Sequence, residues 1–116
     1  MVIDAPDAER LARFYSRLLG WSVARSDETW AVLDAQGTAY IAFQTSKEYV
    51  PPVWPPEDDE QQMMAHLDVG VTDVDAAVED AVALGAVEAD FQPQDDVRVM
   101  LDPAGHPFCL YRTDDD

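Results

Sequence analysis

Apolar side chains after Asp7 recur every three or four residues, which places them on one face of an α-helix. They are Leu11, Phe14, Tyr15, Leu18 and Leu19. Asp7 is a favoured N-cap residue and Gly20 a favoured C-terminal stop, so the pattern predicts a helix between them. Its other side carries Arg10, Arg13 and Arg17, which we interpret as a solvated face paired with nearby acidic residues.

The same apolar spacing returns in the C-terminal half and again ends at a glycine. The residues are Val74, Ala77, Val78, Ala81 and Val82, followed by Gly85. The N-cap of this second helix is either Asp73 or Thr72 in a capping-box arrangement with Asp75. The chain therefore has one predicted helix in each half.

Short runs rich in β-branched and aromatic residues predict strands around the two helices. The predicted strands are 2–5, 21–25, 29–33 and 38–45 in the first half, and 63–71, 86–91, 97–101 and 106–112 in the second. Each half thus has the order βαβββ, as expected for a duplication. The last hairpin is repeated at an offset of 68 residues, with Asp34 and Gly37 matching Asp102 and Gly105 of a type I turn.

A proline-rich stretch separates the two halves, and its prolines favour extended backbone over a helix or a central strand. We predict one domain over 1–116, made of module one (1–45), a linker (46–62), module two (63–112) and an acidic tail (113–116). Neither module buries both faces of its sheet alone. We therefore expect an α+β fold in which two βαβββ modules form a curved mixed sheet around a cleft, with the helices on the outer face.

The composition adds a strong acidic bias. The chain has 24 acidic and 7 basic residues and a net charge of −17, which opposes binding to a nucleic-acid backbone. We interpret the acidity as a solvated surface and not as a site for a cationic ligand. No apolar run is long enough for a membrane span, and the start lacks a signal-peptide pattern. With a single cysteine, Cys109, we expect a soluble, cytoplasmic protein.

The order of elements and several motifs resemble the vicinal oxygen chelate superfamily, which includes glyoxalase I, extradiol dioxygenases, fosfomycin-resistance enzymes and bleomycin-resistance proteins. The motifs are Glu9-Arg10-Leu11-Ala12-Arg13-Phe14-Tyr15, Leu19-Gly20-Trp21, His66-Leu67-Asp68-Val69, Asp73-Val74-Asp75-Ala76-Ala77 and Asp102-Pro103-Ala104-Gly105-His106-Pro107-Phe108. The resemblance covers nearly the whole chain and is closest to small glyoxalase-like proteins. Because this scaffold hosts several chemistries, the function has to be argued from the site.

In metalloenzymes of the superfamily, the resemblance implies metal ligands on the first and last strands of each module, His or Gln on the first and Glu on the last. Those points fall on His66, on Cys109, on Ile41, and at or before Met1. Only His66 has a matching residue type, which is too few for a hard divalent ion. We therefore expect no metal and no other cofactor, and a softer ion held by His66 and Cys109 is the less favoured alternative.

Strand alternation places other side chains beside these points. The predicted ligand-binding residues are Trp30, Ile41, Phe43, His66, Arg98, Cys109 and Tyr111, with Ala39 and Pro107 on the same strand faces. Trp30 and Arg98 match in the repeat, and the sequence leaves open which face each takes. The set predicts an apolar, aromatic pocket for a small molecule; the alternative is that these residues pack as core and leave no cavity.

These features predict a metal-free protein that binds a small hydrophobic or aromatic molecule, in the manner of drug-sequestering relatives. The alternative is a lyase, isomerase or dioxygenase of the superfamily, with His66 and Asp68 as candidate catalytic residues on one strand face. A third hypothesis is a regulatory partner acting through the linker. We also expect a homodimer, because Pro6 truncates the first strand and leaves a sheet edge that needs cover.

Overall fold

The computed structural model of the chain describes residues 1–34 and 40–113. Its elements are β1 (Val2–Ala5), α1 (Ala8–Leu19), β2 (Ser22–Ser26), β3 (Trp30–Asp34), β4 (Tyr40–Thr45), β5 (Leu67–Val71), α2 (Val74–Leu84), β6 (Val87–Glu88), β7 (Val97–Leu101) and β8 (Pro107–Arg112). The order βαβββ occurs twice, so the prediction of an α+β fold with two such modules is confirmed. Ala39, the first hairpin turn and the tail at 114–116 lie outside the described residues.

The chain divides into two compact units, Met1–Tyr49 and Val50–Asp116, and the boundary falls inside the predicted linker. In the first unit the strand order is β1-β4-β3-β2, with β1 parallel to β4 and the other neighbours antiparallel. Helix α1 packs on this sheet. The core of the unit is formed by buried apolar side chains from both layers, among them Leu11, Phe14, Tyr15, Ala31, Leu33 and Phe43.

The second unit repeats this arrangement with the strand order β5-β8-β7-β6, in which β5 is parallel to β8. Helix α2 packs on β6, β7 and β8. Met100, Phe108 and Leu110 are completely buried. Each unit has its own sheet and its own buried residues. The single domain over 1–116 stays a prediction.

Both helices begin and end where the sequence predicts. The side chains of Asp7 and Asp73 accept hydrogen bonds from the backbone amides of Arg10 and Ala76, at 3.2 and 3.1 Å. Asp73 is therefore the N-cap of α2, which settles the two alternatives. Each helix ends at a glycine in the left-handed region, with φ of 74° at Gly20 and 117° at Gly85, where a side chain would be strained.

Two predicted strands of the second unit are shorter than expected. Strand β5 begins at Leu67, so His66 lies just before it, and β6 ends at Glu88. After β6 the side-chain amide of Gln92 replaces a strand neighbour: it donates to the carbonyls of Ala89 and Val99 and accepts from the amide of Val99, at 2.8 to 2.9 Å. The hydrogen bonds of the edge are thus satisfied without a longer strand.

The linker forms no helix or strand, as its prolines predict. It still makes specific contacts inside the second unit. The Trp54 indole Nε1 donates to the carbonyl of Phe91 at 3.1 Å, and the two rings lie 6.0 Å apart. Among the described helices, none is long and apolar enough to cross a membrane.

Candidate functional site

A cavity of about 800 Å³ opens on the second unit beside the β5–β8 strand pair. It is lined by His66, Asp68, Gln94, Asp96, Val97, Cys109, Tyr111 and Arg112. Because β5 and β8 run in parallel, Asp68 lies opposite Cys109, and the antiparallel strand β7 places Val97 opposite Tyr111. Strand pairing therefore brings together four of the residues that the sequence singles out, namely His66, Asp68, Cys109 and Tyr111.

The centre of the cavity wall is a cluster of His66, Asp68 and Cys109, whose donor atoms lie within 4.8 Å of one another. His66 Nε2 lies 3.1 Å from Asp68 Oδ1. Burial raises the pKa of the Cys109 thiol, and the negative charge of Asp68 and a hydrogen bond to its carboxylate raise it further. Cys109 is therefore a protonated thiol at neutral pH and not an activated nucleophile.

The pairing of His66 with Asp68 fixes how the imidazole can act. When His66 is neutral, the carboxylate favours the tautomer with the proton on Nε2, which leaves Nδ1 as an acceptor. The His66 side chain is 40% exposed and that of Asp68 is 59% exposed, so both are accessible to a small molecule. This arrangement can accept a hydrogen bond or a proton from a ligand.

The cluster does not fit the hard divalent ion that the superfamily's metalloenzymes imply. Hard ions prefer oxygen and imidazole ligands, and here one of three donors is a thiol whose pKa is raised by its surroundings. Binding an ion through all three groups would also displace the thiol proton and break the contact between His66 and Asp68. Among residues 1–34 and 40–113, this is the one such group of three potential metal ligands.

Two residues predicted for the site lie on β4 of the first unit, Phe43 in its core and Ile41 partly exposed. Phe43 is completely buried and stacks on Tyr15 of α1, with ring centroids 5.7 Å apart and an interplanar angle of 11°. Ile41 lies two residues earlier on β4 and so shares this helix-facing side. Neither residue lines the cavity described above, and the predicted role of Phe43 as a stacking surface for a ligand is wrong.

The error comes from the repeat offset. Val2 and Asp68 correspond, because each lies five residues before the N-cap of its helix, Asp7 or Asp73. Val2 pairs with Ala42 and Asp68 pairs with Cys109, so Cys109 corresponds to Ala42 and the offset at this strand is 67 (109 − 42). A shift of one residue turns every side chain of a strand to the other face. An offset of 68 therefore assigns Ile41 and Phe43 to the wrong side of the sheet.

The same shift separates Trp30 from Arg98. Trp30 alternates with the buried Ala31 and faces away from α1, and its true counterpart is Val97, which lines the cavity. Arg98 lies on the strand face of the buried Met100, and its guanidinium donates to the carbonyl of Asp95 at 3.1 Å. Arg98 does not line the cavity.

The cavity is also more polar than predicted. Gln94, Asp96 and Arg112, which the sequence did not single out, add an amide, a carboxylate and a guanidinium to the wall. Gln94 and Asp96 lie in the irregular connection before β7, where no periodic pattern assigns a direction to a side chain. The main apolar surfaces are Val97 and the ring of Tyr111, which is 39% exposed.

The other histidine has a structural partner. Asp102 is 4% exposed and its carboxylate accepts from the amides of Ala104 and His106, at 2.9 and 3.0 Å, and contacts His106 Nδ1 at 3.0 Å. The Gly105 amide donates to the Asp102 carbonyl at 2.8 Å, as the predicted type I turn requires. These contacts hold the β7–β8 turn.

A duplicated βαβββ unit with a cavity beside its first and last strands defines the class of fold shared by the vicinal oxygen chelate superfamily. The sequence profile of the glyoxalase-like domain matches residues 1–111, and the chain belongs to this family. No curated protein matches the sequence.

Solved structures show the same fold. A glyoxalase/bleomycin resistance protein/dioxygenase family enzyme from Burkholderia phytofirmans PsJN is 20% identical, with a TM-score of 0.70 over 97% of this chain and 94% of that one. A glyoxalase-related enzyme from Fulvimarina pelagi is 19% identical, with a TM-score of 0.70 over 97% and 85%. A fosfomycin resistance protein from Mesorhizobium loti is 16% identical, with a TM-score of 0.68 over 97% and 88%.

Proposed function

We propose that the protein binds a small organic molecule with an aromatic or other apolar part in the cavity of its second unit. The observation that carries this proposal is the joint placement of Tyr111, Val97 and the paired His66 on one cavity wall. The Tyr111 ring offers a stacking surface, and His66 offers a hydrogen-bonding group beside it.

We propose further that binding needs no metal or other cofactor. The support is chemical: the Asp68 carboxylate already contacts His66 and accepts a hydrogen bond from the Cys109 thiol, which keeps its proton. The ligand therefore meets a hydrogen-bonding wall in place of a metal centre.

The proposal includes a homodimer in the cytoplasm. Strand β1 is at the edge of its sheet, as β5 is at the edge of the other, and exposed edges favour pairing or cover. The one cysteine is free, in keeping with a reducing compartment.

A second candidate function is metal-free acid–base catalysis by a lyase or isomerase. The specific observation in its favour is the 3.1 Å pair between His66 and Asp68, in which a carboxylate orients an imidazole for proton transfer.

The test is a thermal-shift screen of small aromatic compounds, followed by calorimetric titration of each hit. Loss of the ring in Tyr111→Ala should weaken binding about fivefold, since a stacking contact contributes about 1 kcal/mol. Cys109→Trp should block the cavity and abolish binding. The matched control is Tyr40→Ala, an exposed tyrosine of the first unit, which should bind like the wild type.

Wild-type affinity in a folded Cys109→Trp variant would contradict the cavity assignment. Conversion of a hit into a product, lost in His66→Asn, would replace the binding function by the catalytic one.

A further inference from the structure

One part of the cavity wall has no regular secondary structure. Residues 89–96 connect β6 to β7, are here called the cavity loop, and contribute Gln94 and Asp96 to the wall. The structure describes all of these residues, and residues 90–96 make no hydrogen bond from backbone to backbone. Backbone pairing therefore does not fix the positions of Gln94 and Asp96, and side chains have to hold the loop.

Three side chains bond to the backbone around the cavity loop. Gln92, inside the loop, fastens its start to β7. From β7, the Arg98 guanidinium donates to the carbonyl of Asp95 at 3.1 Å. From the linker, Trp54 Nε1 donates to the carbonyl of Phe91 at 3.1 Å, and the two rings lie 6.0 Å apart. Trp54 is the distant one of the three, since it lies 37 residues before Phe91.

Trp54 is itself held in place by its neighbours in the linker. Just before it, Pro51 packs so closely on the turn between β7 and β8 that a methyl group on Gly105 would lie 2.9 Å from the Pro51 Cβ. The amide of Val53 donates to the carbonyl of Gln61 at 2.9 Å, which closes the linker on itself. Most of the linker thus belongs to the second unit, and Trp54 connects this fixed segment to the cavity loop.

We propose that Trp54 is a positioning residue of the cavity, because it holds the cavity loop where Gln94 and Asp96 form part of the wall. Trp54 is not among the residues that line the cavity, so it acts through Phe91 and the loop backbone. The proposal rests on the binding function proposed above and adds a residue that determines the shape of the site. The indole also has its partner inside its own unit, in place of the external partner that a regulatory linker requires.

The loop is tested first, by nitrogen-15 relaxation of the backbone amides. Order parameters are about 0.85 in rigid backbone and below about 0.6 in flexible segments. Gln94 and Asp96 should give rigid values in the wild type and fall below about 0.6 in Trp54→Ala. Trp54→Phe keeps a ring against Phe91 and loses only the N–H donor, so its values should lie between these two. The control is Val50→Ala, an exposed linker residue, which should match the wild type.

The site is tested by alkylation of Cys109, the one cysteine of the chain, which lies on the cavity wall. The probes are N-phenylmaleimide and N-ethylmaleimide, and the ratio of their rates is divided by the same ratio for glutathione. This double ratio cancels the effect of the thiol pKa, because both reagents react with the thiolate. A value above one in the wild type means that the cavity favours the aromatic reagent. Trp54→Ala should lower it about threefold, as expected for a lost polar contact, and Trp54→Phe should restore part of it.

The outcomes separate this inference from the proposed function. A double ratio of one in the wild type contradicts the binding of aromatic groups, while the order parameters still decide whether Trp54 holds the loop. Unchanged order parameters in Trp54→Ala overturn the inference, and so does a mobile loop with an unchanged double ratio above one. Loss of order that extends into β5 and β8 would show general destabilisation and also overturns it. If circular dichroism shows that Trp54→Ala is unfolded, Phe91→Ala removes the ring contact from the loop side, where the ring is 49% exposed, and is judged by the same two measurements.

Discussion

At the scale of single residues, Phe43 and Cys109 show how one position of register separates a core residue from a site residue. Both lie on the last strand of a module, and the sequence predicts that both line a pocket. Phe43 is sealed against Tyr15 under α1, whereas Cys109 faces Asp68 on a cavity wall. The side of the strand, and not the residue type, decides which role each plays.

Phe43→Ala should therefore cost stability. Removing a fully buried phenyl ring from a packed core destabilises a protein by about 3–5 kcal/mol, which urea denaturation will measure. Tyr40→Ala, on the same strand but 52% exposed, is the matched control and should change stability by less than about 1 kcal/mol. A Phe43→Ala variant as stable as the wild type would show that the ring does not pack under α1.

The Cys109 thiol should react slowly near neutral pH. Because burial and Asp68 raise its pKa, the midpoint of its alkylation rate against pH should lie above that of a free thiol such as glutathione. Asp68→Asn removes the negative charge and should lower that midpoint. The control is Asp96→Asn, because Asp96 lines the same cavity but does not raise the pKa of Cys109. This variant should keep the wild-type midpoint. Equal shifts in both variants would contradict the specific role of Asp68.

At the scale of elements, short polar side chains set where structure starts and stops. Asp7 and Asp73 begin the helices, Gln92 ends the sheet edge after β6, and Asp102 closes the β7–β8 turn. Each of these side chains hydrogen-bonds to backbone groups that would otherwise have no hydrogen-bond partner. The buried carboxylate of Asp102 thus adds to the backbone hydrogen bonds that hold the turn between β7 and β8.

Asp102→Ala should destabilise the protein by about 2–3 kcal/mol, because it leaves the amides of Ala104 and His106 without their acceptor. Thermal or urea unfolding measures the loss. Asp95→Ala, in an exposed loop, should stay within about 0.5 kcal/mol of the wild type. A similar cost for both would mean that the Asp102 contacts add nothing beyond an ordinary surface acid.

At the scale of the whole molecule, the question is whether this chain holds a metal, as metalloenzymes of the superfamily do. Its cluster consists of His66, Asp68 and Cys109, and the Asp68 carboxylate contacts the imidazole and the thiol. Elemental analysis of the purified protein should find far less than one equivalent of zinc, iron, nickel or manganese per chain. His66→Ala should leave that content unchanged. One equivalent in the wild type that disappears in His66→Ala would establish a metal site and favour the catalytic alternative.

Local patterns in the sequence predict the two helices, their caps and the βαβββ order, because these depend on residue spacing and on side chains that hydrogen-bond to their own neighbouring backbone. The resemblance to the vicinal oxygen chelate superfamily also predicts His66 and Cys109 on neighbouring strands, and strand alternation adds Asp68 beside His66. Which side of the sheet each strand side chain takes depends on strand pairing across the fold. The pairing of Val2 with Ala42 fixed the offset at 67, and the irregular loop before β7 brought Gln94 and Asp96 to the cavity. Register and loop direction arise from contacts between residues distant in sequence, so no local pattern encodes them.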